Sequence, residues 1–168
     1  MAEKRTILIV DDEPDIVNLT EKFLNLGKFN TITCSNGKEA MKVIEEKHEE
    51  IALILLDIMM PGKSGYSVLE EIKSDKRYNH IIVILFTVKS FNEDIQKGKE
   101  LGADGYLTKP FSGKQLLKFI QAQLEKYSRY YCKKHVLTTC KKNNLPKGQA
   151  TKMAKKIWFQ LYDDYWRY

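Results

Sequence analysis

Two six-residue runs of apolar side chains constrain the fold of this chain more than any other feature of its sequence. Ile51–Leu56 and Ile81–Phe86 contain no polar residue, and they are followed at once by Asp57 and Thr87. Runs of this length, bounded by polar residues, are typical of strands that are covered on both faces of a sheet. A membrane-spanning helix needs about 20 apolar residues, so neither run can cross a membrane.

The rest of the first 125 residues alternates short strand patterns with amphipathic helix patterns. Three further strands are predicted, at Thr6–Val10, Asn30–Cys34 and Gly105–Leu107. Apolar residues recur at helical spacing between the strands, and Pro14 and Gly27 mark the start and the end of the first helix. Five β-α repeats with apolar strands predict an α/β fold, a doubly wound parallel sheet with helices on both faces.

The carboxyl ends of the predicted strands bring chemically active side chains to one edge of the sheet, where ligands bind in folds of this kind. These side chains are Asp11, Asp12, Asp57, Thr87 and Lys109. Three neighbouring carboxylates repel one another unless a cation joins them. Mg²⁺ fits such a cluster, because it prefers a few carboxylates together with water and phosphate oxygens. With a lysine and a hydroxyl beside it, the pattern indicates a site for a phosphoryl group.

Four motifs in this order resemble those of the response-regulator receiver domain of two-component signalling, over residues 5–125. The motifs are Val10–Pro14, Asp57–Gly65, Thr87 and Gly102–Phe111. Each motif alone is weak, but their order and their places on the predicted elements make a strong signal. The resemblance, closest to the chemotaxis-regulator type, implies a flavodoxin-like sheet with the strand order 2-1-3-4-5.

The resemblance also implies roles for individual residues. Asp57 would be the phosphoacceptor, and the donor would be a phosphohistidine on a partner histidine kinase or phosphotransfer protein. Mg²⁺ would be held by Asp12 directly, by Asp11 mainly through water, by Asp57, and by the backbone carbonyl of Met59. Lys109 would pair with the phosphoryl oxygens. The chain would then be a signalling phosphoacceptor rather than an enzyme, acting on a downstream protein target as a response regulator or phosphorelay intermediate.

A conformational switch is the second property that the resemblance implies. Thr87 would move to hydrogen-bond a phosphoryl oxygen, and Tyr106 would turn inward into the space that is vacated. The Lys109–Pro110 peptide would be cis, as the proline allows. Val88 departs from the family pattern, since a smaller residue is more usual there. We expect Val88 to narrow access to Asp57 and so to slow phosphoryl transfer or hydrolysis. Lys89 and Met59 are expected to flank the site and to tune the lifetime of the acyl phosphate.

The sequence changes character near Glu125, which predicts a boundary between a receiver domain at 1–125 and an extension at 126–168. The first segment holds 17 Lys and Arg against 20 Asp and Glu, a net charge of −3, whereas the second holds 11 against 2, a net charge of +9. A capping box at Ser112–Gln115 begins a helix that is predicted to run past the boundary. A break at Asn143–Gly148 then suggests a helical hairpin.

Two other functions stay open at this point. A basic segment rich in aromatic residues could bind nucleic acid and make the chain a transcriptional regulator. The extension is short for a complete winged-helix domain, so protein–protein contact ranks above DNA binding. A small Mg²⁺-dependent phosphohydrolase would also use a strand-end aspartate. That class needs a second acid two residues later, where this chain has Met59.

The cysteines and histidines give no pattern for a further metal site. They are Cys34, His48, His80, Cys132, His135 and Cys140. An odd number of cysteines at low density does not make a disulfide framework. Cys132, His135 and Cys140 lack a fourth ligand at zinc spacing, so we expect buried or half-buried thiols and a surface histidine. We expect His48 and His80 to be solvent exposed. The absence of a signal-peptide core near the start leads us to expect a cytoplasmic protein.

Overall fold

Five parallel strands form the centre of the fold. The computed structural model describes residues 6–88 and 92–142, and the side chains of those up to residue 127. The sheet has the order β2-β1-β3-β4-β5, which confirms the predicted flavodoxin-like α/β topology. The strands are β1 (Thr6–Val10), β2 (Asn30–Cys34), β3 (Ile51–Leu56), β4 (Ile82–Thr87) and β5 (Gly105–Thr108).

In the described part of the chain, four α-helices connect these strands, and a fifth follows the last strand. They are α1 (Pro14–Leu26), α2 (Gly37–Lys47), α3 (Gly65–Ser74), α4 (Asn92–Glu100) and α5 (Gly113–Lys142), with a 3₁₀ helix at Lys76–Tyr78. Pro14 is the first residue of α1, and the N–H of Gly27 closes its end by donating to the Phe23 carbonyl at 3.1 Å. The predicted capping box is also confirmed, because the N–H of Gln115 donates to Ser112 Oγ, and Ser112 donates to Gln115 Oε1.

The fourth strand is shifted by one residue from its predicted position. Ile81 was expected to begin the strand, but its N–H donates instead to the Tyr78 carbonyl at 2.9 Å. The sequence does not predict the 3₁₀ helix that contains Tyr78. The turn that follows this helix ends at Ile81, so Ile81 does not join the strand. Thr87 consequently forms the end of β4 rather than following it.

The two faces of the sheet carry different helices. One face packs against α2 and α3 through alternate strand residues, as the pleat of a strand requires. Those residues are Leu8, Val10, Ile54, Leu56, Val83 and Leu85. Leu24 of α1 and Leu116 and Ile120 of α5 are fully buried outside this cluster and cover the opposite face. The sheet is therefore covered on both sides, which explains why its central strands β1, β3 and β4 are almost entirely apolar.

The expectation that His48 and His80 are solvent exposed was wrong. Both side chains are half-buried. Their ring centroids lie 5.9 Å apart, and the His48 ring packs edge-on against Tyr78 at 5.4 Å. His80 Nε2 lies 2.7 Å from the His48 carbonyl oxygen. The physical reason is the same 3₁₀ helix, which places the buried ring of Tyr78 beside His48, while His48 in turn contacts His80.

The helix α5 is continuous over 30 residues, which confirms that it runs past the predicted receiver boundary. One compact unit of the chain is Lys4–Gln123, and a second begins at Leu124. Cys34 is buried, as expected. The side chains of Cys132, His135 and Cys140 and the predicted break at Asn143–Gly148 lie outside the described residues.

Within residues 6–88 and 92–142, no helix has the length and the apolar character needed to cross a membrane.

Candidate functional site

Three carboxylates converge at the carboxyl edge of the sheet, where the sequence places them. Asp11 and Asp57 directly follow β1 and β3, and they are 1% and 4% exposed. Asp12 lies beside them on the exposed side. One carboxylate oxygen from each of the three residues lies within 4.8 Å of the other two. Two buried acids and one exposed acid thus form a single cluster that opens to solvent.

The Lys109 ammonium group lies among these acids. Its Nζ is 2.5 Å from Asp11 Oδ2 and 3.4 Å from Asp57 Oδ2, and Glu13 Oε1 is 3.8 Å away. The Lys109 N–H donates to the Thr87 carbonyl at 2.9 Å, so the backbone of this residue is tied to the end of β4. The Lys109–Pro110 peptide is cis, as the resemblance implied. One cation therefore bridges two buried carboxylates.

Backbone groups hold the Asp57 carboxylate in a fixed orientation. Its Oδ1 accepts the N–H of Ile58 at 2.8 Å and that of Met59 at 3.4 Å. The N–H of Asp57 itself donates to the Val10 carbonyl at 2.9 Å, which anchors the residue to β1. Because Oδ1 is engaged in this way, Oδ2 is the oxygen that faces Lys109.

The start of α3 is pressed against this same residue. The N–H of Gly65 donates to the Ile58 carbonyl at 3.1 Å. A Cβ atom at Gly65 would lie only 2.0 Å from the Asp57 carbonyl oxygen. Real side chains never approach a backbone oxygen so closely, so only glycine fits here. The loop 58–64 is therefore held at its start by the anchored Asp57 and at its end by the contact of Gly65 with Asp57 and Ile58.

Electrostatics at the cluster favour a bound cation. Burial is the largest influence on Asp11 and raises its pKa above the ordinary value, whereas the hydrogen bond from Lys109 lowers it. The nearby charge of Asp57 raises the pKa of Asp11 further. The cluster contains three carboxylates, two of them buried, and one lysine. The negative charge that the lysine does not balance is unfavourable in a partly desolvated site. The donor set of carboxylate oxygens suits a hard divalent ion.

The residues of the predicted switch lie on adjacent strands. Thr87 is completely buried at the end of β4, and Tyr106 is half-buried in β5, opposite Leu85. Burial, with the charges of Asp94 and Asp57, raises the pKa of Tyr106. The movement of either side chain stays a prediction.

The residues that were predicted to flank the site are partly described. Met59 and Val88 are 53% and 59% exposed. Lys89 lies outside the described residues. An effect of these residues on access to Asp57 or on acyl-phosphate lifetime stays a prediction.

One residue near the site was missed by the sequence analysis. Tyr66 follows Gly65 in the first turn of α3, and its hydroxyl donates to the backbone oxygen and to Oδ1 of Asp94 in α4, at 3.2 and 3.1 Å. Lys97 Nζ lies 4.4 Å from the centroid of the Tyr66 ring. No spacing in the sequence signals this contact, since the partners are 28 positions apart.

Known proteins resemble this chain over the segment that forms the sheet and the site. Regulatory protein VanR from Enterococcus faecium is 37% identical over 124 residues, which cover 74% of this chain and 52% of that protein. Transcriptional regulatory protein GltR from Pseudomonas aeruginosa is 38% identical over 125 residues, covering 74% and 51%. The chain thus spans about half the length of these curated relatives.

A solved structure and a family model agree with these similarities. Chemotaxis protein CheY4 from Vibrio cholerae superimposes with a TM-score of 0.66 at 27% identity, covering 70% of this chain and 97% of that one. The sequence model of the response regulator receiver domain matches residues 7–121. This chain therefore belongs to the response regulator receiver domain family, the phosphorylation-dependent signalling module of two-component systems.

Proposed function

We propose that Asp57 accepts a phosphoryl group from a phosphohistidine, and that the chain acts as a response regulator or phosphorelay intermediate. The observation that carries this proposal is the geometry of one carboxylate. Asp57 Oδ1 is fixed by two backbone N–H groups, and Oδ2 faces the Lys109 ammonium at 3.4 Å. Asp57 is thereby oriented as a nucleophile, with a cation beside the oxygen that would attack.

The transfer needs little acid–base chemistry. A bond forms between an Asp57 oxygen and phosphorus while the bond from phosphorus to the imidazole nitrogen breaks. The electron pair of the broken bond stays on that nitrogen, and the ring leaves as neutral imidazole because its other nitrogen already carries a proton. The product is an acyl phosphate on Asp57. Lys109 would pair with the phosphoryl oxygens, and this charge stabilisation is strong because Lys109 is only 7% exposed. Thr87 and Tyr106 would then respond as the switch.

The acidic cluster is the proposed Mg²⁺ site. Asp11, Asp12 and Asp57 would hold the ion together with the backbone carbonyl of Met59, and the mutual distance of the three carboxylates fits this assignment. When bound, Mg²⁺ neutralises charge on the carboxylates and on the phosphoryl oxygens. Lys109, which lies among these acids, would help to keep the phosphoryl group beside the Asp57 oxygen.

The partners follow from this chemistry. The proposed phosphodonor is a sensor histidine kinase or a phosphotransfer protein, the proposed readout is contact with a downstream protein, and the proposed location is the cytoplasm. We also propose that residues 1–125 form the receiver domain and that 126–168 form a separate helical extension.

The first experiment is the intact mass of the full chain after incubation with acetyl phosphate and Mg²⁺. We expect one adduct of about 80 Da, corresponding to a phosphoryl group. The adduct should vanish in Asp57→Ala and when the metal is removed with EDTA. Asp15→Ala is the matched control, because Asp15 is an exposed acid of α1 outside the cluster, and it should retain the adduct. An adduct that persists in Asp57→Ala would contradict the proposal.

A second candidate function is nucleic-acid binding through the basic extension. The net charge of +9 in residues 126–168 favours it, as does similarity to a protein named as a transcriptional regulator. Salt-dependent retention of the full chain on duplex DNA, lost when the lysines of 126–168 are neutralised, would support this function. No retention on DNA even at low salt would favour the protein–protein alternative.

A further inference from the structure

Tyr66 joins the surroundings of Asp57 to α4. Its backbone follows Gly65, which packs against the Asp57 carbonyl so tightly that no Cβ fits between them. Its side chain extends in the other direction, where the hydroxyl donates to two oxygens of Asp94. Tyr66 is therefore one peptide bond from the residue that packs on Asp57, and its hydroxyl reaches the first turn of α4.

The helix α4 has few apolar anchors, so polar contacts of this kind weigh more in its attachment than they do in a well-buried helix. Its sequence from Asn92 to Glu100 contains one large apolar residue, Ile95, which is half-buried. Gly98 is the only buried residue of the helix. Two hydrogen-bond acceptors on Asp94 and the Lys97 ammonium over the ring all converge on Tyr66. Among the residues that the structure describes, Tyr66 thus contacts α4 at both Asp94 and Lys97.

The surroundings of Tyr66 keep its hydroxyl in the donor state. The ring is half-buried and packs against the main hydrophobic cluster, as does Tyr106. Burial, and then the hydrogen bond and charge of Asp94, raise the pKa of Tyr66 above its ordinary value. The phenol therefore keeps its proton at neutral pH and remains able to donate to Asp94.

We propose that Tyr66 is a positioning residue that transmits the phosphorylation state of Asp57 to α4. The inference rests on the proposed function of Asp57. A phosphoryl group at Asp57 Oδ2 adds volume and negative charge beside the loop 58–64. The close packing of Gly65 on Asp57 leaves this loop no free space. The loop adjusts by moving Tyr66, and the hydrogen bonds to Asp94 either shift α4 or break. In both cases the position of α4 depends on Asp57 through Tyr66, as two-state coupling requires.

The test compares the wild-type full chain with Tyr66→Phe by amide NMR and hydrogen exchange. Beryllofluoride with Mg²⁺ serves as the phosphoryl mimic. In Tyr66→Phe without the mimic, α4 amides should exchange roughly three- to tenfold faster, the effect of one lost hydrogen bond. On addition of the mimic, the chemical-shift changes at Ile58 and Met59 should persist. The changes in α4 should fall to less than about a third of their wild-type size.

Two further variants distinguish transmission of the Asp57 state by Tyr66 from a merely structural role of Tyr66 in holding α4. Asp94→Asn keeps oxygen acceptors for the Tyr66 hydroxyl, so its α4 should still respond to the mimic. Tyr78→Phe is the matched control, since Tyr78 is a buried tyrosine of the 3₁₀ helix, and it should leave the α4 response unchanged. If α4 in Tyr66→Phe loosens but keeps its full response, the role of Tyr66 is structural and the proposal is wrong.

The remaining outcomes also decide the question. If Tyr66→Phe changes neither exchange nor response in α4, the contact does not couple the two regions and the proposal is overturned. If the mimic changes no amide near Asp57 even in the wild type, the proposed function fails, and the coupling is rejected with it. These failures are distinguishable, because only the last one is seen in the wild-type chain.

Discussion

The helices α3 and α4 pack on the same face of the sheet and have almost the same length, with 10 and 9 residues. The helix α3 buries Val68, Leu69 and Ile72 completely. The helix α4 buries no large apolar side chain and offers only the half-buried Ile95. The helix α3 is attached to the sheet by the hydrophobic effect. The helix α4 is attached by polar contacts and by the close approach of its backbone at Gly98 to Leu85.

This difference separates a fixed part of the molecule from an adjustable one. A fully buried aliphatic side chain contributes about 1.5–3 kcal/mol, and α3 has three of them. A typical hydrogen bond contributes about 0.5–1.5 kcal/mol net, because water competes for the same groups. The helix α3 therefore provides a stable frame beside Asp57. The helix α4 is the element that a small change at the site can move, in keeping with the weak local stability of switching elements.

The largest effect that would test this contrast is expected from truncating one apolar residue in each helix. Leu69→Ala should lower the free energy of unfolding by about 2–5 kcal/mol, because it leaves a cavity in a packed cluster. Ile95→Ala should lower it by less than about 1.5 kcal/mol, since the side chain is already partly in water. Urea denaturation followed by circular dichroism measures both values. Equal losses in the two variants would break the comparison.

Adding a methyl group to each helix should give a smaller effect. Gly65→Ala would place Cβ 2.0 Å from the Asp57 backbone oxygen, which cannot move without shifting β3. Gly98→Ala would place Cβ 2.4 Å from Leu85 Cδ1, the tip of a side chain that can change its rotamer. We expect Gly65→Ala to cost about 1–3 kcal/mol by overpacking. Gly98→Ala should cost less than about 1 kcal/mol, because alanine is also the better helix former.

The same denaturation experiment measures this pair of variants. The acetyl phosphate reaction adds a second measurement, since Gly65→Ala also disturbs the loop beside Asp57. Adduct formation should therefore slow in Gly65→Ala and stay close to wild type in Gly98→Ala. A Gly98→Ala variant that is the less stable of the two would show that α4 is the more rigidly packed helix.

The sequence was sufficient to predict the strands, because the signal for each strand is local, whereas the strand order came from the family resemblance. The central strands are short apolar runs, and the limits of Thr6–Val10 and Ile51–Leu56 agree with the structure. The one-residue error at Ile81 has a different origin. The 3₁₀ helix before it consists of Lys76, Arg77 and Tyr78, whose cap is the Asp75 side chain. A single turn of three residues has no periodicity that could be detected.

The site could be located from the sequence for a topological reason. The strand order alone brings Asp11, Asp57 and Lys109 to one edge, whatever the details of packing. The contact between Tyr66 and Asp94 is different, because it depends on how two helices are placed side by side. The same holds for the packing of His48 against His80. Such contacts arise from tertiary placement, and neither partner carries a recognisable spacing signal.

The smallest expected effect concerns pH, and it sharpens the same contrast. The pKa of Tyr66 is raised above the ordinary 10.0, first by burial and then by its hydrogen bond to Asp94. The folded chain therefore holds this proton more tightly than the unfolded chain does. A group of this kind contributes its full stability below its unfolded pKa and loses it as the pH rises through the folded pKa.

The free-energy difference between wild type and Tyr66→Phe should therefore be largest near neutral pH and should shrink above pH 10, where the unfolded phenol ionises. Urea denaturation of both proteins at several pH values gives this difference. Leu69→Ala should show no such trend, because no titrating group takes part in its packing, and Tyr78→Phe controls for general alkaline effects. A difference that is constant or grows with pH would mean that the Tyr66 hydroxyl does not hold α4. The weak attachment of that helix would then rest on Ile95 and Gly98.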